Sequence, residues 1–224
     1  MRGLGPTVQP KSTAGMNVIV IAPHPDDEAI GCGGTMCLHS ARGDTVSVVF
    51  LSSGELGLKD HPKEAACRIR EREAEKAAEV LGVTTLKFLR YPDWYVGDAT
   101  EAAARDVCEV LRQHTPNVIY LPHEHEAHPD HQAALPIVRA ALALSDIPAP
   151  VLLTFEVWTP LPGYYHVEDI TAFMNRKLKA IRCYRSQVKQ LAYDRAVRGL
   201  NLYRGVVAGA CRYAEIFENG GPPA

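Results

Sequence analysis

Within five positions, His24, Asp26, Asp27 and Glu28 of the stretch Pro23-His24-Pro25-Asp26-Asp27-Glu28 supply four ionisable side chains. They follow the apolar run Val18–Ala22, so they stand where a buried strand would end. Carboxylates at the edge of a core are costly unless something compensates their charge, and a cation is the simplest compensator. His24 and Asp27 are three apart, a spacing that lets both face one point in a tight turn or first helical turn. Asp26 is then aimed beside that point. A second dense stretch, His128-Pro129-Asp130-His131, follows the apolar run Val118–Leu121 and repeats the spacing at the start of a helix.

Joined, the two stretches give His24, Asp27 and His131, two imidazoles and one carboxylate. That set suits a divalent metal with open coordination: zinc first, because catalytic zinc keeps three protein ligands, and iron(II) second. The remaining residues then have roles. Asp26 serves as general base toward the attacking water. The metal polarises a substrate carbonyl, and His128 donates to the oxyanion or the leaving nitrogen. Asp130 holds the His128 ring and its charge state.

Strands alternating with helices must position these loops. Strands are expected at Val18–Ala22, Thr45–Leu51, Leu86–Tyr91, Val118–Leu121 and Val151–Trp158, with a strand-like Arg212–Phe217 at the end. Helices are expected after the segment Gly31-Cys32-Gly33-Gly34, over Glu64–Leu81, over Thr100–Gln113 with Thr100 as cap, over His131–Leu144, and around Thr171–Tyr184 and Lys189–Leu202. The pattern implies an α/β fold, a Rossmann-like mostly parallel sheet with helices on both faces. Ligands in such sheets gather at the C-terminal ends of the strands, where both acidic–histidine stretches fall. The glycines lack the G-x-G-x-x-G spacing and follow an acidic stretch that would repel a pyrophosphate, which excludes a nicotinamide cofactor. They are read instead as permitting close backbone packing.

The 224 residues suit a flexible arm over 1–15 and one domain over 16–224, with 46% hydrophobic and 22% charged residues. A net charge of −2 argues against a nucleic-acid-coating surface. No apolar stretch approaches the ~20 residues that span a bilayer, and residues 1–15 lack the apolar core of a signal peptide. Six cysteines without C-x-x-C spacing read as reduced thiols of a soluble, cytoplasmic protein.

Pro-His-Pro-Asp-Asp-Glu after the first strand with His-Pro-Asp-His after the fourth resembles the PIG-L/LmbE family of zinc-dependent N-acetylglucosaminide deacetylases. Weaker matches are Ser53–Gly57, the Arg72–Gly82 helix end, Arg90-Tyr91-Pro92-Asp93, Tyr184-Arg185-Ser186-Gln187 and Tyr213–Phe217. The resemblance implies hydrolysis of the N-acetyl group of a GlcNAc conjugate, with zinc on His24, Asp27 and His131, Asp26 as base and His128 stabilising the transition state. It places Arg72, Asp93 and, more loosely, Glu55 at the sugar or its aglycone, and it implies a homo-oligomer, trimeric or hexameric. Chain length and the C-terminal tail look most like the bacillithiol-type deacetylases. Where some relatives carry a Tyr two residues before His-Pro-Asp-His, this chain has Glu126, so that role falls to another group such as a C-terminal tyrosine. His123 and His125 read as exposed loop residues. Competing readings are a phosphoester hydrolase, whose sites usually hold two metals, and a metal- or sugar-binding module, which needs no base at Asp26.

Overall fold

The computed structural model describes residues 15–221; the expected arm therefore lies, apart from Gly15, outside the described residues. Strands β1 (Asn17–Ala22), β2 (Thr45–Ser52), β3 (Thr85–Tyr91), β4 (Val118–Pro122) and β5 (Val151–Phe155) run parallel. Two further strands, β6 (His166–Asp169) and β7 (Ala214–Asn219), pair antiparallel with each other, and β7 pairs antiparallel with β5. The sheet order is β3-β2-β1-β4-β5-β7-β6, so the chain reverses its direction of travel between β1 and β4. That reversal opens a crevice at the strand ends. Both acidic–histidine stretches leave the sheet there.

Alternate residues of β1 enter two separate cores. Val18, Val20 and Ala22 pack with helices α1 (Asp27–Arg42), α2 (Lys63–Leu81) and α5 (Met174–Ile181). Ile19 and Ile21 pack with α3 (Thr100–His114) and α4 (Pro129–Ser145) on the opposite face. A strand buried on both faces explains why β1 reads as an unbroken apolar run. No described helix is long and apolar enough to cross a membrane, and the six cysteines stand unbridged.

Several elements differ from the sequence reading. Helix α1 begins at Asp27 and includes the glycine segment, with a kink at Cys32 (φ −132°, ψ 21°). The glycines do serve close packing: a Cβ at Gly31 would overlap the Phe155 ring, and one at Gly34 would lie 2.6 Å from Ile170. Thr100 is no cap; Ala99 holds that position and the Thr100 hydroxyl donates to Gly97 O. Strand β5 stops at Phe155, because the following N–H groups turn to side-chain carboxylates. The C-terminal region breaks into α5, the one-turn α6 (Arg185–Val188) and α7 (Tyr193–Arg204).

Candidate active site

The turn out of β1 is closed by its own side chains. The His24 N–H donates to Asp27 Oδ2 at 2.8 Å, and the Asp27 N–H donates back to His24 O. Between them Asp26 takes φ 130°, a region strained for a residue with a Cβ. Its N–H donates to Glu28 Oε2 (3.1 Å), and the Tyr184 hydroxyl donates to Glu28 Oε1 (2.5 Å). Burial pushes the Glu28 carboxyl up to about 8, against the hydrogen bond from Tyr184.

Asp27 Oδ2 is the meeting point of the two loops. It lies 3.3 Å from His24 Nδ1 and 3.2 Å from His131 Nε2, although Asp27 and His131 are 104 positions apart. His131 is fully buried, yet neither ring nitrogen has a hydrogen bond. Nitrogen atoms of His24, His128 and His131 also come within 4.8 Å of one another. A largely buried cluster of imidazoles and carboxylates, with both His131 nitrogens unpaired, fits a divalent cation. The outer nitrogens support this: His24 Nε2 faces Asp130 Oδ2 at 3.0 Å, and His131 Nδ1 faces Glu126 Oε2 at 3.6 Å. Metal-binding histidines commonly have such carboxylates behind them.

The excess of carboxylate marks the histidines. Burial alone would lower the pKa of His24, but hydrogen bonds to Asp130, Asp27 and Asp93 hold it well above the usual range. Burial is likewise outweighed at His131, where the neighbouring Asp27 carboxylate lifts it to about 9. His128 goes the other way, lowered by burial and by the neighbouring His24 and His131. Its Nδ1 accepts the Asp130 N–H at 3.2 Å as the cap of α4, which leaves Nε2 to carry the proton of the neutral ring.

Asp26 stands beside the cluster. Burial pushes its carboxyl up to about 7, opposed by the charge of Arg70, whose Nη2 is 3.3 Å from Asp26 Oδ1. Arg70 also donates to Pro25 O and Gly54 O, tying α2 to the loops after β1 and β2. Arg72, the expected substrate contact, is exposed on the outer face of α2, and Arg70 is the arginine that enters the site. The buried stripe Ala66, Arg70, Ala74, Ala77 and Leu81 has helical spacing, so an arginine on an otherwise apolar face was the available signal.

The other expected residues divide. Asp93 is buried with Oδ1 3.2 Å from His24 Nε2, while Oδ2 accepts the Leu56 N–H. Glu55 is turned to Lys63 Nζ (2.9 Å) and the Asp93 N–H (3.3 Å), bracing two loops. The Asp130 carboxylate is bonded to His24 Nε2 and to the N–H groups of Trp94 and Val96, not to the His128 ring as expected. His123 is buried, not exposed: its ring Nε2 pairs with Thr159 O. His125 is exposed. Glu126 is buried and accepts the N–H groups of Val157, Trp158 and Thr159, so it fixes the loop after β5 as well as facing His131. The sequence reading names Glu28, Glu126 and Tyr184 without giving them these contacts, and it misses Arg70.

A cluster that could hold a metal ion, set at the reversal point of a mostly parallel sheet, defines an α/β protein with its candidate site at the strand ends. Residues 19–142 match the family described as PIG-L, GlcNAc-PI de-N-acetylase, and the chain belongs to that family. It is 31% identical to the diacetylchitobiose deacetylase of Thermococcus kodakarensis over 220 residues, 88% of this chain and 80% of that protein. It is 29% identical to the probable N-acetyl-alpha-D-glucosaminyl L-malate deacetylase 2 of Bacillus cereus, over 80% of this chain and 86% of that one. Among solved structures it is similar to the N,N'-diacetylchitobiose deacetylase of Pyrococcus horikoshii. There the TM-score is 0.78 at 28% identity, over 91% of this chain and 84% of that chain.

Proposed function

We propose that the protein is a zinc-dependent N-deacetylase, with iron(II) the second choice of metal, that hydrolyses the acetamide of a GlcNAc conjugate to acetate and a free amine. The observation that carries this reading is the convergence of His24, Asp27 and His131 on Asp27 Oδ2 with Asp26 beside it. His24 Nδ1, Asp27 Oδ2 and His131 Nε2 are the atoms that would hold the metal, and Asp130 and Glu126 steady the two imidazoles from behind. A bound divalent cation supplies Lewis acidity toward the acetyl carbonyl and the attacking water.

The residues of the chain do the rest. Asp26 takes a proton from the attacking water as its oxygen bonds to the acetyl carbon, and a carboxyl poised near neutrality suits that task. His128 donates through Nε2 to the oxyanion, for which a neutral ring suffices. The C–N bond then breaks, and the nitrogen leaves with a proton returned from this pair. Deacetylase relatives on two sides of the sugar-conjugate class support the reaction type. The family Tyr has no counterpart at position 126, where Glu126 instead supports His131.

The direct test is acetate release by the zinc-loaded protein from N-acetylglucosamine, diacetylchitobiose, GlcNAc-malate and GlcNAc-inositol; release from none of them, with either metal, ends the proposal. The ligand set is tested separately by elemental analysis after dialysis. His24→Ala and His131→Ala should lose the metal. Asp130→Ala should weaken metal binding by about 10–100-fold, the usual cost of removing an outer partner. Variants that keep a full complement of metal refute the assignment.

The pH profile carries a further expectation. A base works only when deprotonated, so activity falls as pH drops through the pKa of Asp26. Arg70 opposes the upward push of burial on that group. Arg70→Met should therefore move the acid limb of kcat/KM toward higher pH, and an unmoved or lowered limb would show that Asp26 does not set it.

A further inference from the structure

The loop after β3 presents a tryptophan that the mechanism above does not use. Trp94 is 53% exposed, and its backbone has φ 76°, a left-handed conformation costly for any residue with a large side chain. The buried Asp130 holds it there. Trp94 N–H donates to Asp130 Oδ2 at 2.8 Å, and Val96 N–H donates to Asp130 Oδ1 at 3.0 Å. The same Oδ2 contacts His24 Nε2. The indole lies edge-on against the His128 ring, with centroids 4.6 Å apart and planes at 77°. A half-exposed ring returns little to the core, so the strained turn presents the indole at the site and does not bury it.

Four cations of α2, its N-terminal turn, β3 and α7 are already matched. Arg70 is paired with Asp26, Lys63 with Glu55, Arg90 with Glu71 and Arg204 with Glu156. An anionic group arriving at these loops would compete with a carboxylate for each of these four cations.

The geometry points to Trp94 as the platform for the part of the substrate beyond the acetamide-bearing sugar, and to that part being a neutral ring such as a second sugar unit. The C–H face of a pyranose packs on the indole face, while the acetamide lies toward His128. Aromatic faces are well suited to such contacts because they offer large rigid area with a negative π surface. This inference rests on the deacetylase reading for the placement of the acetamide, but the stacking itself is tested without turnover.

The chain has two tryptophans, Trp94 and Trp158, so Trp158→Phe leaves Trp94 as the sole indole. Metal-loaded Trp158→Phe should shift its emission on titration with cellobiose, which has no acetamide to hydrolyse. A flat titration overturns the platform, and a shift with malate but not with cellobiose overturns the neutral ring. In steady-state assays Trp94→Ala should raise KM for diacetylchitobiose about tenfold while KM for N-acetylglucosamine changes less than about twofold. Trp94→Phe should recover most of the loss. An equal fall in kcat for both substrates would instead make Trp94 a support for His128 and overturn the inference. Release from GlcNAc-malate but not from diacetylchitobiose keeps the deacetylase reading and overturns the neutral ring. Release from none of the four conjugates ends that reading, and the cellobiose titration alone then decides the role of Trp94.

Discussion

Asp26→Ala should keep its metal and lose about 10²–10⁴-fold in kcat, the range typical of a general acid–base group. The geometry separates the two properties. Asp27, not Asp26, makes the contacts to both imidazoles, and the carboxyl of Asp26 is turned to Arg70. Removing the Asp26 side chain also relieves backbone strain little, because alanine meets the same penalty at φ 130°. Folding should therefore survive through the unchanged N–H bond to Glu28. Metal content by elemental analysis and turnover by acetate release are the two readouts. Normal turnover with full metal would remove the general base from the mechanism; lost metal would place Asp26 among the ligands.

The parts of this site that could be read from sequence were those whose chemistry is local. The three-residue spacing of His24 with Asp27 and of His128 with His131 survives because each pair spans one turn at a strand end. The strands that carry them are neighbours at the reversal of a parallel sheet. What sequence did not reveal depends on contacts between segments 31 to 156 positions apart. Tyr184 reaches Glu28 from the C-terminal region, and Glu126 is buried only because the backbone of residues 157–159 turns its N–H groups toward it. His123 looked exposed for the same reason: its partner is the carbonyl of Thr159.

Arg70 and Arg72 show how a resemblance can miss by half a helical turn. The sequence match selected Arg72 from a run of mixed charge, but a helix sorts its residues by face. Arg70 lies on the stripe that packs, and Arg72 lies about 200° around the axis from it. Strand β6 escaped for a different reason. His166-Val167-Glu168-Asp169 has no apolar run to announce it, and it forms a strand because β7 offers an unpaired edge.

The largest stability loss is expected at a site away from the chemistry. Lys177 of α5 is fully buried, with Nζ 2.6 Å from Glu215 Oε1 on β7. Glu215 also accepts the Gly34 N–H (2.8 Å), the Thr35 N–H (2.8 Å) and the Thr35 hydroxyl (2.6 Å) of α1. One carboxylate thus joins α1, α5 and the C-terminal strand, at the level where Gly34 packs against Ile170. Glu215→Ala strands an ammonium group in the core and should cost about 3–5 kcal/mol. At ~2–4 °C per kcal/mol for a chain of this size, Tm should fall by roughly 6–20 °C. The double variant Lys177→Met, Glu215→Leu removes both charges and should regain much of that loss, because the desolvation of two buried ions offsets much of their attraction. Thermal unfolding of both variants decides the point. A single variant within about 1 kcal/mol of wild type would mean that water reaches Lys177 and that this ion pair does not clamp the three elements together.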